Sequence, residues 1–133
     1  MATLGDLMNV KVQKVPHTAT IKEAAEGMQR QRVGSVLVEN DGQYVGILTE
    51  TDIVRKAAAA GLDLKKEKAE TIMSKPIISL DRTRSPEDAF DLMGESNVRH
   101  IAVTERGRIV GVVSVRDLLI FFRKQSEPHM GID

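Results

Sequence analysis

Two segments of the chain carry the residue types best suited to chemistry at a fixed spacing. They are Gly46-Ile47-Leu48-Thr49-Glu50-Thr51-Asp52 and Gly111-Val112-Val113-Ser114-Val115-Arg116-Asp117. Both read glycine, two apolar residues, a hydroxyl, two variable residues and an aspartate, where an apolar strand pattern gives way to a helical one. A helix start offers unpaired N–H groups and a partial positive charge, which suits a phosphate. The Thr49 or Ser114 hydroxyl can donate to a phosphate oxygen. Asp52 or Asp117, three residues on, faces the same side of the first turn and can accept from vicinal ribose hydroxyls. The same spacing is also that of a capping box, which only stabilises a helix start. Both readings stand at this point.

A second feature distinguishes the two segments. Val98-Arg99-His100-Ile101 occupies the place that Val33-Gly34-Ser35-Val36 holds in the other half. Arg99 and His100 supply adjacent cationic-capable side chains at the start of a strand, although neighbours on a strand point to opposite faces. Arg116 adds positive charge to the second segment, whereas the first carries Glu50. The second half is therefore the better candidate for an anion. The alternative is that Arg99 is a solvent-facing charge.

These segments are positioned by an internal repeat. Residues 20–54 align without a gap onto residues 85–119, so that Met28 meets Met93, Val38 meets Val103, Gly42 meets Gly107 and Asp52 meets Asp117. Upstream, Leu7-Met8 meets Ile72-Met73 at the same offset. Each copy, roughly 60 residues long, is too small to bury a good core alone. Thr20-Ile21-Lys22-Glu23 and Ser85-Pro86-Glu87-Asp88 have the pattern of capping boxes that open helices. The hairpins Ser35–Val38/Tyr44–Leu48 and Ile101–Val103/Ile109–Val113 flank the turns Asn40-Asp41-Gly42 and Glu105-Arg106-Gly107. Extended segments are expected at Val10–Val15 and Ile77–Leu80. The order is β-α-β-β-α, twice, which makes the fold class α/β. The first repeat is expected at 4–61, a charged connector at 62–68, the second repeat at 69–124 and a frayed tail at 125–133. Met8, Met28, Met73 and Met93 hold matched positions and read as adaptable packing residues.

Composition narrows the remaining classes. Of 133 residues, 41% are hydrophobic and 29% charged, an ordinary globular balance. The absence of Cys excludes disulfides and thiolate chemistry, and fits a cytoplasmic setting. The 19 basic and 19 acidic residues cancel, which argues against a general grip on nucleic acid or a membrane. No apolar run is long enough to span a bilayer, and the N-terminus lacks a secretory pattern. Aromatic residues are 3%, so a nucleobase here is expected to lie between aliphatic side chains. His17, His100 and His129 lack metal-ligand spacing, so no metal site is expected. No nucleophile is tied to a base, so the chain is read as a non-enzyme.

The repeat resembles the CBS domain, here as a tandem pair of the kind called a Bateman module. The resemblance covers about residues 4–122 and rests on the β-α-β-β-α order, the Asp-Gly turn and the closing motifs GILTETD and GVVSVRD. It is to stand-alone CBS-pair proteins. It implies two units packed sheet to sheet about a pseudo-twofold axis, with clefts that in many members bind adenosine-containing ligands. Carried over, Thr49 and Ser114 would contact phosphate, Asp52 and Asp117 ribose, and Arg99 and His100 phosphate, with Arg116 adding charge beside them. The first copy departs from the pattern at Gly34-Ser35. It also lacks the Pro that follows the opening Met, present only as Pro76 in the second. The resulting expectation is a regulatory module that binds AMP, ADP or ATP as a regulatory ligand rather than a cofactor, and signals through shape or partner affinity. The alternatives are a ligand-free dimerisation or adaptor module, and a binder of S-adenosylmethionine or another adenosyl ligand. Apolar helical positions at Ile53, Val54, Ala57, Leu118, Leu119 and Phe122 predict a homodimer, with an unidentified protein partner to read the signal.

Overall fold

The computed structural model describes Met1–Glu127. Each half opens with one helical turn: α1 (Leu4–Leu7) and α4 (Ala69–Ile72). There follow β1 (Lys14–Pro16), α2 (Ile21–Gln31), β2 (Ser35–Asn40), β3 (Gln43–Thr49) and α3 (Glu50–Asp52), with β4 (Ser79–Asp81), α5 (Pro86–Ser96), β5 (His100–Glu105), β6 (Arg108–Ser114) and α6 (Val115–Ser126) in the second half. α3 runs on as a π-helical turn over Ile53–Ala58. The fold is α/β with two three-stranded sheets, ordered β1-β2-β3 and β4-β5-β6.

The two ladders repeat position for position. β1 lies parallel to β2 with Lys14 opposite Leu37, and β4 lies parallel to β5 with Ser79 opposite Ala102. β2 and β3 are antiparallel with Leu37 opposite Ile47; β5 and β6 match with Ala102 opposite Val112. The hairpins turn through two residues at positive φ, Asp41-Gly42 and Arg106-Gly107. That geometry suits the twist of the flanking strands. The helix N-caps fall as the sequence predicts. Thr20 accepts from the Glu23 amide and Ser85 from the Asp88 amide, and the carboxylates bond back to the cap amides.

The sequence repeats and the compact units do not coincide. One unit joins Met1–Val10 to the chain from Ser79 onward; the other is Lys11–Ile78. α1 therefore packs within the unit built on the second sheet, with the Leu4 amide donating to the Arg84 carbonyl and the Gly5 amide to the Arg82 carbonyl. α4 belongs to the unit built on the first sheet, where the Ala69 amide donates to the Ala19 carbonyl. The core of that unit is set by Ile21, Ala24 and Met28 of α2 against Val36, Val38 and Leu48, with Ala57, Ala69 and Ile72. The other unit buries Leu4, Met93, Ile101, Val103, Val113 and Leu118.

Three expectations are corrected. The strands after the opening turns are shorter and later than Val10–Val15 and Ile77–Leu80, because the parallel ladders pair Lys14–Pro16 with Leu37–Glu39 and Ser79–Asp81 with Ala102–Thr104, and Val10 is exposed. The connector at 62–68 is not merely solvated. Its Leu64 and Glu67 carbonyls accept from the Lys22 and Ile21 amides at the start of α2, and Leu62 and Leu64 pack on the core. α6 continues through Ser126, so the expected tail at 125–133 is helical at its beginning. Residues 128–133, His129 among them, lie outside the described residues.

Candidate functional site

Both Gly-x-x-hydroxyl-x-x-Asp segments fold into capping boxes. In the first, the Thr49 hydroxyl accepts from the Asp52 amide at 3.1 Å and the Asp52 carboxylate accepts from the Thr49 amide at 3.0 Å. In the second, the Ser114 hydroxyl accepts from the Asp117 amide at 3.2 Å and Asp117 from the Ser114 amide at 2.9 Å. The first helical amide is used as well. Glu50 N–H donates to the Gly34 carbonyl and Val115 N–H to the Arg99 carbonyl. Capping is thus realised at both sites, and a ligand would have to work with the groups it leaves.

Those remaining groups differ sharply. Asp52 is buried, 4% exposed, and its carboxylate is fully engaged. Besides the Thr49 amide it accepts from the Thr49 hydroxyl at 3.1 Å, the Ser74 hydroxyl at 2.8 Å and the Lys56 ammonium at 2.9 Å. Asp117 is half-buried and accepts from the Ser114 amide through one carboxylate oxygen. It lines a pocket of about 290 Å³ with Asp6, Leu7, Ile120, Phe121 and Lys124. The other carboxylate oxygen can accept from a ligand hydroxyl, beside apolar Leu7, Ile120 and Phe121, the Lys124 ammonium and a second carboxylate, Asp6.

The motif glycines serve packing. A Cβ on Gly46 would meet the Met73 side chain, and one on Gly111 the Met8 side chain, so each opening methionine fills the space that its glycine leaves. The close neighbour of each glycine is therefore a side chain of the same unit.

Comparison with known proteins agrees with this architecture. The family model for the CBS domain matches the chain twice, over residues 4–59 and 69–124. The chain belongs to the CBS family. This CBS pair is 32% identical over 120 residues to the CBS domain-containing protein YhcV of Bacillus subtilis, covering 90% of this chain and 85% of YhcV. It is similar to the crystal structure of an uncharacterized conserved protein from Pyrococcus horikoshii, with a TM-score of 0.86 and 31% identity over 96% of each chain. It is also similar to the hexameric CBS-CP12 protein from bloom-forming cyanobacteria, with a TM-score of 0.84 and 27% identity, covering 98% of this chain and 79% of that one. No helix among the described residues is long and apolar enough to cross a membrane.

The cationic candidates of this CBS pair are spread around the second segment. His100 stands opposite Ser114 in the β5–β6 ladder and is partly buried. Arg99, one residue earlier, is exposed and touches the segment through its backbone carbonyl. Arg116, on the first turn of α6, is exposed. None of the three lines the Asp117 pocket, whose cation is Lys124. Sequence reasoning missed Lys124, Asp6 and Phe121 there, and Lys56 and Ser74 at Asp52. Lys56 had a visible signal, an acid–base pair four residues apart on a helix. Ser74 had none, because its approach to Asp52 depends on the pairing of Ser74 with Ile47. Among the described residues no group of three or more His, Asp or Glu side chains is placed to hold a metal ion.

Proposed function

We propose that this CBS pair is a regulatory module that binds an adenine nucleotide at Asp117 and Ser114. The observation that carries this reading is the Asp117 carboxylate on the wall of a pocket that Leu7, Ile120 and Phe121 line together with Lys124 and Asp6. A carboxylate that keeps a free oxygen accepts well from the vicinal hydroxyls of a ribose, and such charge-assisted bonds are the stronger kind. Leu7, Ile120 and Phe121 offer apolar surface to a base, while Lys124 can neutralise a phosphate. The Ser114 hydroxyl accepts from the Asp117 amide and retains its own proton to donate. Arg99, His100 and Arg116 add positive charge around the same helix start. Thr49 and Asp52 would form at most a weaker site. The signal would pass to another protein through a change in shape or affinity, in the cytoplasm, with the chain as a homodimer. The hexamer formed by the similar CBS-CP12 protein supports self-association of some kind.

The second reading is a dimerisation or adaptor module without a ligand. It is favoured by the completeness of both capping boxes, which explain the motif without any guest. Titration calorimetry with AMP, ADP, ATP, adenosine and S-adenosylmethionine separates the two. Saturable heat with AMP that Asp117→Ala removes is expected. Flat titrations with all five would sink the nucleotide reading and leave the adaptor. Tight binding of S-adenosylmethionine alone would redirect the site to a cationic adenosyl ligand.

A further inference from the structure

The two halves treat the same aspartate in opposite ways. The Lys56 ammonium makes three contacts, to the Asp52 carboxylate at 2.9 Å, the Ser74 hydroxyl at 3.2 Å and the Ile72 carbonyl at 3.3 Å. An ammonium has three donors, so Lys56 is saturated. The Ser74 hydroxyl in turn donates to Asp52 at 2.8 Å, closing a ring of Lys56, Ser74 and Asp52. With the two bonds from Thr49, the Asp52 carboxylate holds four donors, about the number that its lone pairs accept. In the second half the residue aligned with Lys56 is Phe121, which has no donor, and Asp117 stays open to its pocket.

We infer that Lys56 is a built-in occupant of the first repeat's carboxylate site, standing where a ligand hydroxyl would stand on Asp52 and leaving one open site per chain. The inference rests on the nucleotide reading for the identity of the ligand, but not for the closure itself. A ligand approaching Asp52 must first displace Lys56 and Ser74, each already paired in a site that excludes water from the carboxylate. At Asp117 no such exchange is needed. The π-helical turn at Ile53–Ala58 is the local backbone on which Lys56 sits. The lysine is therefore a specificity-determining residue that sets stoichiometry, and Ser74 positions it.

The test uses AMP as the probe and the full chain. Wild type should take one AMP per chain, and Asp117→Ala should weaken that event at least tenfold. Lys56→Ala, or Lys56→Phe, which copies the second repeat, should add a second event that Asp52→Ala on the same background removes. Circular dichroism identifies whichever Lys56 variant folds. A second arm needs no nucleotide. A water-soluble carbodiimide activates accessible carboxylates as the acylisourea, and added glycinamide should displace the urea and label Asp117 while buried Asp52 stays unlabelled until Lys56→Ala opens it. Two equal AMP sites in wild type, or one AMP in both folded Lys56 variants, would overturn the inference. So would glycinamide labelling of Asp52 as fast as Asp117. Protection of Asp52 from labelling that Lys56→Ala removes, with no AMP uptake by any variant, would defeat the nucleotide reading alone and leave the closure of Asp52 standing.

Discussion

The Met73 sulfur lies where a side chain on Gly46 would have to begin, since a Cβ there would fall 2.5 Å from Sδ and 3.1 Å from the Ser74 carbonyl oxygen. The second unit repeats this with Met8, whose Sδ would be 2.6 Å from a Cβ on Gly111. The glycine of each motif is thus fixed by the methionine that ends the opening turn of the other repeat. Met8 and Met73 therefore tie each half of the sequence to the sheet of the other half.

Gly46→Ala and Gly111→Ala should each destabilise the fold by about 1–3 kcal/mol, the usual cost of overpacking. Gly94→Ala is the control. Gly94 sits inside α5 with open space around it, and alanine there should stabilise by about 0.5–1 kcal/mol. Urea denaturation of the three variants measures both signs. A neutral Gly46→Ala would mean that Met73 swings away at little cost.

Asp117 and Asp52 should respond to alanine in opposite ways. Asp117→Ala removes one half of a cap and should cost about 1 kcal/mol of stability, while AMP affinity falls at least about tenfold. Asp52→Ala strips Lys56 and Ser74 of a buried partner. Breaking a buried pair costs about 3–5 kcal/mol, and the partial exposure of Lys56 reduces the expected loss to about 1–3 kcal/mol. Denaturation curves and AMP titrations on both variants give the contrast. Equal stability losses would remove the distinction between the two carboxylates.

Much of this architecture was legible in the chain before any coordinates. The fixed offset that carries Met28 onto Met93 and Asp52 onto Asp117 fixed two equivalent ladders, and the Thr20 and Ser85 boxes marked both helix starts. What stayed hidden depends on tertiary pairing. The exchange of α1 and α4 between sheets leaves no trace in a local pattern, because Leu4 and Ala69 are equally apolar whichever sheet they meet. The site was half legible. Both capping boxes were in view, but the difference between an engaged Asp52 and an open Asp117 turns on Ser74, which lies far along the sequence. The sequence also favoured Arg99 and His100 as the anion contacts, whereas the pocket beside Asp117 carries Lys124.

Phosphate dependence follows from that placement. If Lys124 and the charges of Arg99 and Arg116 attract the ligand phosphate, AMP should bind more tightly than adenosine, and AMP alone should weaken with added salt. Lys124→Ala should reduce the salt dependence more than Arg99→Ala, because only Lys124 lines the pocket. Titrations at two salt concentrations on wild type and both variants measure this. Equal binding of adenosine and AMP would defeat the phosphate claim and leave the role of Asp117 intact.

Acid should loosen the capping boxes of α2 and α5. Glu23 is held below its ordinary value of 4.5 by the hydrogen bond from the Thr20 amide. Asp88 is held below 3.8 first by the hydrogen bond from Arg84 and then by that from the Ser85 amide. A carboxyl group with a depressed folded value contributes stability that is present above its unfolded value and is lost as pH falls through the folded one. The loss should therefore begin near pH 4.5 for Glu23 and near pH 3.8 for Asp88, and deepen below. The double variant Glu23→Gln with Asp88→Asn should be less stable at neutral pH and show a shallower acid limb. Parallel acid limbs for the variant and wild type would assign the acid loss to other groups.

Self-association should run through the helices that close each repeat. Val54 and Leu119 hold aligned positions, and both are exposed, at 61% and 54%; Phe90, in edge-to-face contact with Phe122, is 43% exposed. Large apolar side chains left open at equivalent positions favour a symmetric contact that buries the same patch on two copies. Sedimentation at micromolar concentration should show a dimer or a larger closed assembly. Leu119→Lys should shift it towards monomer with an unchanged circular dichroism spectrum, because this side chain contributes little to the core. Combining it with Val54→Lys tests whether the two equivalent positions act together. A wild-type chain that sediments only as a monomer at high micromolar concentration would remove the interface and leave the exposed apolar residues as isolated surface positions.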